Sequence, residues 1–386
     1  MSMSGKSPGP DALAEHLRRR IEAGGALGFD DFMAAALYDP HRGYYAADAA
    51  RTGKHGDFFT SVSIGPVFGR LLAAQFAEIW DALGRPEDFT LVEQGANDGQ
   101  LMADVLAAID RSHAGFEPRV IIAEPLPSLR TRQRANLARW SPRVSHVSGE
   151  SDLPQFTGVF FANELLDAFP VKLLVRIEGV WHERRVGHDG DKFVFVETPL
   201  TDPAMLAAAQ TLPVASDIPR FATEICPSLG DWMNTVAEKL RCGCMLLIDY
   251  GHPAVVRSHA ARSAGTLAAY RGHERAGNPL DSPGSLDLTA HLDFTAVAHA
   301  GERAGLRLAG FTDQHHALTA LAALVFPPMP ETGPDIDAAR EMRALRQLLH
   351  PESMGTSFKF LALSRGIDTV VSCFRFARDA HRELFQ

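Results

Sequence analysis

Apolar positions along this chain follow two patterns that take turns. Short runs holding β-branched and aromatic residues at 89–94, 119–124, 144–148 and 157–162 have the length of strands. Between them, 100–112 returns apolar residues every three to four positions, the spacing of a helix that covers a core with one face, and 127–139 is read as a second helix. This alternation predicts an α/β fold with a parallel sheet and helices on both faces, because parallel strands need a crossover between them.

The rhythm breaks at 171–198, where apolar and polar residues alternate around Gly179, Gly187 and Gly190; that predicts a β-hairpin or meander inserted after the fourth strand. A helix over 228–240 and a fifth strand over 243–250 restore the pattern. Residues 251–289 read as a loop, a length that points to function. Within it and just beyond, 265–294 is rich in Tyr, Arg, His and Asp and reads as a lid or substrate wall. A helix over 293–304, a strand over 306–313, a helix over 316–325, a final edge strand over 357–363 and an appended helix in 368–386 complete the chain.

Ahead of the first core strand, 10–24 is an amphipathic helix candidate with Leu13, Leu17 and Ile21 at helical spacing, and a short helix begins near Asp30. An aromatic loop closes at Gly43, Tyr44 and Tyr45, and a second loop, GDFFTSVS at 56–63, feeds a long helix over 66–83. The segments group as an N-terminal helical and loop extension (1–85), a core (86–170 and 240–365), an inserted substrate-side subdomain (171–239) and a C-terminal helix (366–386).

At 386 residues the chain is long enough to bury a large core, and its 46% apolar and 22% charged content is ordinary for a globular protein. A net charge of −9 leaves no general nucleic-acid footprint. The arginines within RTRQRANLAR, 130–139, fit a solvated helix face. Four cysteines are too few and too scattered for a disulfide framework, Cys242 and Cys244 suit strand packing, and the histidines lack paired metal-ligand spacing, so no metal is expected. The first ten residues lack the apolar core of a secretory signal and no window approaches a membrane span, so a bacterial cytoplasmic location is expected.

The chemistry concentrates at strand ends. LVEQGANDGQLMADVL, 91–106, runs from an apolar strand through Gly95, Ala96 and Gly99 into a helix, a turn on which a nucleotide can approach the backbone closely. A dinucleotide-binding turn needs a third glycine and holds a pyrophosphate, whereas here Glu93 and Asp98 bring negative charge that suits a cationic ligand such as S-adenosylmethionine. That counts against a nicotinamide-dependent oxidoreductase. Glu124, 25 residues after Gly99 and followed by Pro125, ends the next strand where a carboxylate can accept both hydroxyls of a ribose. Asp152 and Leu153, after the third strand, are candidates to meet an adenine.

The fourth strand ends in FFANELLDAFP, 160–170, which places Asn163, Glu164 and Asp167 where a substrate meets the cofactor. A carboxylate pair suits a guanidinium. The alternative is a helix start in which Asn163 caps and the acids complement the dipole, and both roles are compatible.

Together FMAAALYDPHRGYY (32–45), GDFFTSVSIGPVFGRLLA (56–73), the glycine turn, FFANELLDAFPV (160–171), LLIDYG (246–251), GTLAAYRGH (265–273) and DLTAHLDF (287–294) resemble the S-adenosylmethionine-dependent methyltransferases of the MidA and mitochondrial complex I assembly factor family. The resemblance implies a class I methyltransferase fold, a Rossmann-like sheet in which Glu93, Gly95, Ala96, Gly99, Glu124, Pro125, Asp152 and Leu153 hold the cofactor. Gly56, Asp57, Thr60 and Ser61 from the front section would cover it. It implies S-adenosyl-L-methionine as cofactor, S-adenosyl-L-homocysteine as product and, for the mitochondrial members, symmetric dimethylation of an arginine in a complex I subunit. The expected partner is a protein substrate, not nucleic acid, and the chain is a monomer or homodimer. Two departures stand out: the family turn nearer to G-P-G-x-G is Gly95-Ala96-Asn97-Asp98-Gly99 here, and T-S-P-E-I-S is Thr60-Ser61-Val62-Ser63-Ile64-Gly65. They leave open a second reading, an assembly or scaffolding protein that keeps the fold with weak or no turnover.

Overall fold

A computed structural model of the chain describes residues 10–46, 61–271, 274–326, 336–367 and 371–386. The chain divides into two compact units, one from 59–165, 230–253 and 292–386, the other from 1–58, 166–229 and 254–291.

The larger unit is built on an eight-stranded sheet: β1 Phe89–Gln94, β2 Arg119–Ala123, β3 Val144–Val147, β4 Phe156–Asn163, β5 Leu240–His252, the short β6 Leu292–Asp293, β7 Arg307–Asp313 and β8 Phe358–Arg365. Their order across the sheet is β7-β8-β5-β4-β1-β2-β3, with β6 paired to β5. Strands β3, β2, β1, β4 and β5 run parallel, while β8 is antiparallel to both β5 and β7. Leu91, Val159, Phe161, Leu246 and Phe360 join one apolar cluster with residues of helices Val67–Ala82, Gln100–Ser112 and Gln314–Val325. Phe160 points to the other face, where its ring meets Trp232 of helix Leu229–Lys239 at 5.9 Å. Helices therefore cover both faces, as the alternating pattern predicts. A side chain at Gly158, in β4 with φ +146°, would overlap the Thr90 carbonyl of β1, so only glycine lets these central strands approach.

Crossovers from β1 to β2 and from β2 to β3 progress toward one edge, and the chain then returns to place β4 on the opposite side of β1. This reversal creates a crevice outside the carboxyl ends of β1 and β4, the place where open α/β sheets bind ligands.

The second unit contains a four-stranded antiparallel sheet of Lys172–Ile177, Val180–Asp189, Lys192–Pro199 and Arg220–Ile225. Helices Pro10–Gly24 and Phe29–Tyr38 bury Leu13, Leu17, Phe29, Phe32 and Met33 in a cluster that also takes in Leu173, Val186 and Phe193 of this sheet. Arg257 and Glu224 form a buried ion pair at 2.8 Å, and the Glu224 carboxylate also accepts from the Thr266 and Leu267 amides and the Thr266 hydroxyl. This satisfied network fixes the tight loop at 265–267.

Several expectations need correction. The expected hairpin or meander at 171–198 gains a fourth strand, Arg220–Ile225, from a segment whose run is interrupted by polar residues. Residues 251–289 are not one loop: Ala254–Arg257 is helical, and Ala268–Arg271, Glu274–Arg275 and Asp287–Thr289 form a small antiparallel sheet whose strands are too short to show a period. Strand β8, expected at the edge, lies inside the sheet because it inserts antiparallel between β5 and β7. The tail is helical only over Ala380–Phe385, after a 3-10 turn at Ser372–Phe374. Helices Pro203–Gln210 and Ile336–Leu349 are additional to the elements that the apolar pattern predicts. Among the described residues no helix is long and apolar enough to cross a membrane.

Candidate functional site

The turn after β1 bends sharply because Gly95, Asn97 and Gly99 all adopt left-handed backbone, with φ of +78°, +48° and +85°. Helix Gln100–Ser112 starts directly on Gly99, and Asp98 Oδ1 accepts from the Gln100 amide at 3.0 Å. A Cβ at Gly95 would stand 3.1 Å from Leu165, so the chain leaving β4 packs against this turn.

Glu93, near the end of β1, is 2% exposed, and its Oε2 has no hydrogen-bond partner among the described residues. Burial, reinforced by the Asp98 carboxylate, pushes its pKa up to about 8. Phe161 is the register partner of Glu93, and Asn163 lies two residues later on the same face of β4. Asn163 Nδ2 donates to Glu164 Oε1 at 3.0 Å, while its buried Oδ1 accepts from no described group. Two adjacent strand ends therefore present buried acceptors without donors, an arrangement completed by a ligand rich in N–H groups.

Glu164 itself adopts left-handed backbone, φ +53°, and its amide donates to the Ile248 carbonyl of β5. The next element is a three-residue 3-10 turn, Leu166–Ala168, so Asn163 does not cap an α-helix and its amide goes to Glu164 instead.

Glu124, 4% exposed, lies one residue beyond β2. Its Oε1 accepts from the Leu126 amide at 2.9 Å and its Oε2 from Gln133 Nε2 at 3.2 Å. Burial raises its pKa, and these two donors with the Arg130 charge oppose the rise. Pro125 is exposed beside it. After β3, Asp152 ends an exposed 3-10 turn and Leu153 is buried; the neighbouring Glu150 accepts from Gln94 Nε2, and Gln94 in turn accepts from the Trp232 indole. Ser61 is fully buried and donates to Gln314, whose amide donates to the Leu348 carbonyl, so the structure places it in a core hydrogen-bond chain. Gly56, Asp57 and Thr60 lie outside the described residues.

Asp167 belongs to the second unit. It is 6% exposed there, and its backbone carbonyl accepts from the Ala290 amide. Around it stands a tyrosine and carboxylate cluster that sequence reasoning alone does not assemble: Tyr45 Oη donates to Asp287 Oδ1, Tyr38 Oη donates to the Ala168 carbonyl, and the Tyr38 and Tyr45 rings lie 5.4 Å apart. Burial holds the Tyr45 hydroxyl well above its ordinary pKa, and Asp287, Tyr38, Asp167 and Tyr44 add to that. A signal for Asp287 is present in DLTAHLDF, but nothing in the sequence pairs it with Tyr45, 242 positions away. Among the described residues no group of three or more His, Cys, Asp or Glu is arranged to hold a metal ion.

A doubly wound sheet with a left-handed glycine turn at its switch point, an unsatisfied buried carboxylate beneath it and a second acid after the next strand is the core of a nucleotide-cofactor enzyme. More particularly, a family model described as "Putative S-adenosyl-L-methionine-dependent methyltransferase" matches residues 71–312, and the chain belongs to that family. A crystal structure of a Burkholderia thailandensis protein bound to S-adenosyl-homocysteine is 32% identical, covers 97% of both chains and superposes with a TM-score of 0.86. Among curated proteins, the mitochondrial protein arginine methyltransferase NDUFAF7 homolog of Drosophila melanogaster is 29% identical over 93% of this chain and 86% of its own length. The human protein arginine methyltransferase NDUFAF7 is 25% identical over 93% of this chain and 86% of its own length. The resemblance drawn from the motifs, the methyltransferase fold and S-adenosyl-L-methionine as cofactor are thereby borne out.

Proposed function

We propose that the protein methylates an arginine side chain of a partner protein, with Asn163 and Glu164 holding the guanidinium. The observation that carries this reading is Glu164, a residue in left-handed backbone directly after β4 whose carboxylate accepts from Asn163 Nδ2. Left-handed backbone at a non-glycine residue costs about 1–3 kcal/mol and clusters at functional positions. A planar guanidinium offers five N–H donors to carboxylates. The arginine methyltransferase names of the mitochondrial relatives favour the same substrate class, and the family resemblance points to a subunit like those of respiratory complex I.

When bound, S-adenosylmethionine supplies a methyl group already activated on a sulfonium. The buried acceptors of Glu93 and Asn163 fit its ammonium group, and Gly95, Ala96 and Gly99 allow it to lie against the backbone. Glu124 is assigned to the ribose hydroxyls, and Pro125, Asp152 and Leu153 to the adenine side. Glu164 orients one guanidinium nitrogen toward the methyl donor. As the N–C bond forms and the S–C bond breaks, that nitrogen releases a proton, which a hydrogen-bonded carboxylate accepts. The four free cysteines suit a reducing compartment such as the bacterial cytoplasm.

Mass spectrometry of proteins from cells carrying the wild-type chain or Glu164→Gln tests the substrate class. Methylated arginine at one or a few protein sites is expected with the wild type and is lost in the variant. Identical arginine methylation in both strains contradicts the proposal and favours the scaffolding reading or another acceptor.

A further inference from the structure

Helix Pro127–Asn136 carries a run of arginines, yet its one buried residue is Gln133, at 0% exposure. Gln133 Nε2 donates twice: to the Asn97 carbonyl in the glycine turn at 2.8 Å and to Glu124 Oε2 at 3.2 Å. One helical turn later Asn136 Nδ2 donates to the next carbonyl of the glycine turn, that of Asp98, at 2.9 Å. The left-handed turn directs these carbonyls away from the backbone ladder, and amides spaced three apart on one helix meet them in succession. The fit is close, since a Cβ at Gly99 would stand 3.3 Å from the Gln133 Cα.

We propose that Gln133 is a positioning residue that locks the Glu124 carboxylate to the glycine turn and so sets the selectivity of the site for the ribose hydroxyls. This rests on Glu124 being the ribose acceptor. A carboxylate one residue beyond a strand has freedom to rotate; the Leu126 amide fixes one oxygen, and Gln133 fixes the other relative to the turn that carries the rest of the cofactor. Without the amide, Glu124 keeps its charge but loses its aim. Among the described residues the buried Gln133 Oε1 has no partner, so this side chain carries a cost that an apolar one would avoid.

The test compares binding of S-adenosylhomocysteine with that of its 2′,3′-dideoxyribose analogue by calorimetry, in wild type, Gln133→Met and Gln133→Asn. Methionine keeps length and packing without donors; asparagine keeps an amide too short to span both acceptors. The wild type is expected to favour the hydroxylated ligand by at least thirtyfold, and each variant to reduce that ratio at least tenfold while binding the analogue within about threefold of wild type. In a Glu124→Ala background, Gln133→Met should leave the ratio unchanged. If both ligands weaken equally in the variants, Gln133 is only structural and the inference is overturned. If wild type itself does not discriminate, the ribose reading of Glu124 falls, and the inference with it. A Gln133→Met protein that does not fold leaves the decision to Gln133→Asn by the same ratio.

Discussion

Glu164→Gln lowers kcat/KM for methyl transfer to arginine by about 30- to 1,000-fold while S-adenosylhomocysteine binds within about threefold of wild type. The range comes from truncating one side of a charge-assisted contact, about 2–4 kcal/mol, at 1.36 kcal/mol per tenfold in rate. Glutamine keeps the shape and the ability to accept from an N–H. It loses the charge that grips a guanidinium and the basicity that takes its proton. The split between transfer and cofactor binding is the informative part, because a folding defect would lower both. Steady-state kinetics with the methylated partner, beside calorimetry with S-adenosylhomocysteine, separates the two. Normal transfer by the variant would remove Glu164 from the guanidinium site.

The second large effect belongs to Glu93. Its folded pKa, raised to about 8, lies above the ordinary carboxylate value of 4.5. Below pH 4.5 the group is neutral folded and unfolded, and its burial contributes no penalty. As pH rises from there to about 8 the unfolded chain gives up its proton while the folded chain keeps it, so stability is lost progressively across that window, by several kcal/mol in all. Glu93→Gln removes this liability, and its melting temperature in the absence of ligand should exceed that of wild type above about pH 6. Ligand binding should show the opposite preference. The ligand's ammonium pairs with an ionised carboxylate, so the wild-type affinity for S-adenosylhomocysteine rises toward tenfold per pH unit up to about 8 and then levels, with proton release on binding below that pH. In Glu93→Gln the affinity is lower and the slope is gone. Scanning calorimetry across pH reads the stability effect, and titration in two buffers of different ionisation enthalpy reads the proton. A wild-type affinity independent of pH between 5 and 8, with no protons released, would show that Glu93 does not face the cation.

How far the sequence reached depended on the physics behind each pattern. Buried parallel strands such as Leu91, Val92 and Val159, Phe160 show as continuous apolar runs, so the bounds of the parallel strands were legible to within about three residues, the fifth running over Leu240–His252 where 243–250 was expected. The order of its edge was not: β8 and β7 carry similar apolar content, and their places are decided by antiparallel pairing over long separations. Helix Ile336–Leu349 escaped because its arginines and acids dilute the apolar period.

At the site, the glycine turn was legible because left-handed backbone selects glycine, and Gly95 and Gly99 adopt it. Gln133 was not. A polar residue among arginines reads as a solvated face, and only the packing of its helix against the turn shows that the amide is buried. The same holds for Tyr45 and Asp287, whose pairing spans 242 positions and leaves no local trace.

The most direct test is calorimetric titration of S-adenosylhomocysteine into the wild-type protein and Glu124→Ala at pH 8. Saturable binding by the wild type is expected, with at least thirtyfold weaker binding in the variant, the loss of two hydrogen bonds to a charged acceptor. No binding by the wild type, or an unchanged dissociation constant in Glu124→Ala, would contradict the assignment of the cofactor to the carboxyl ends of β1, β2 and β4.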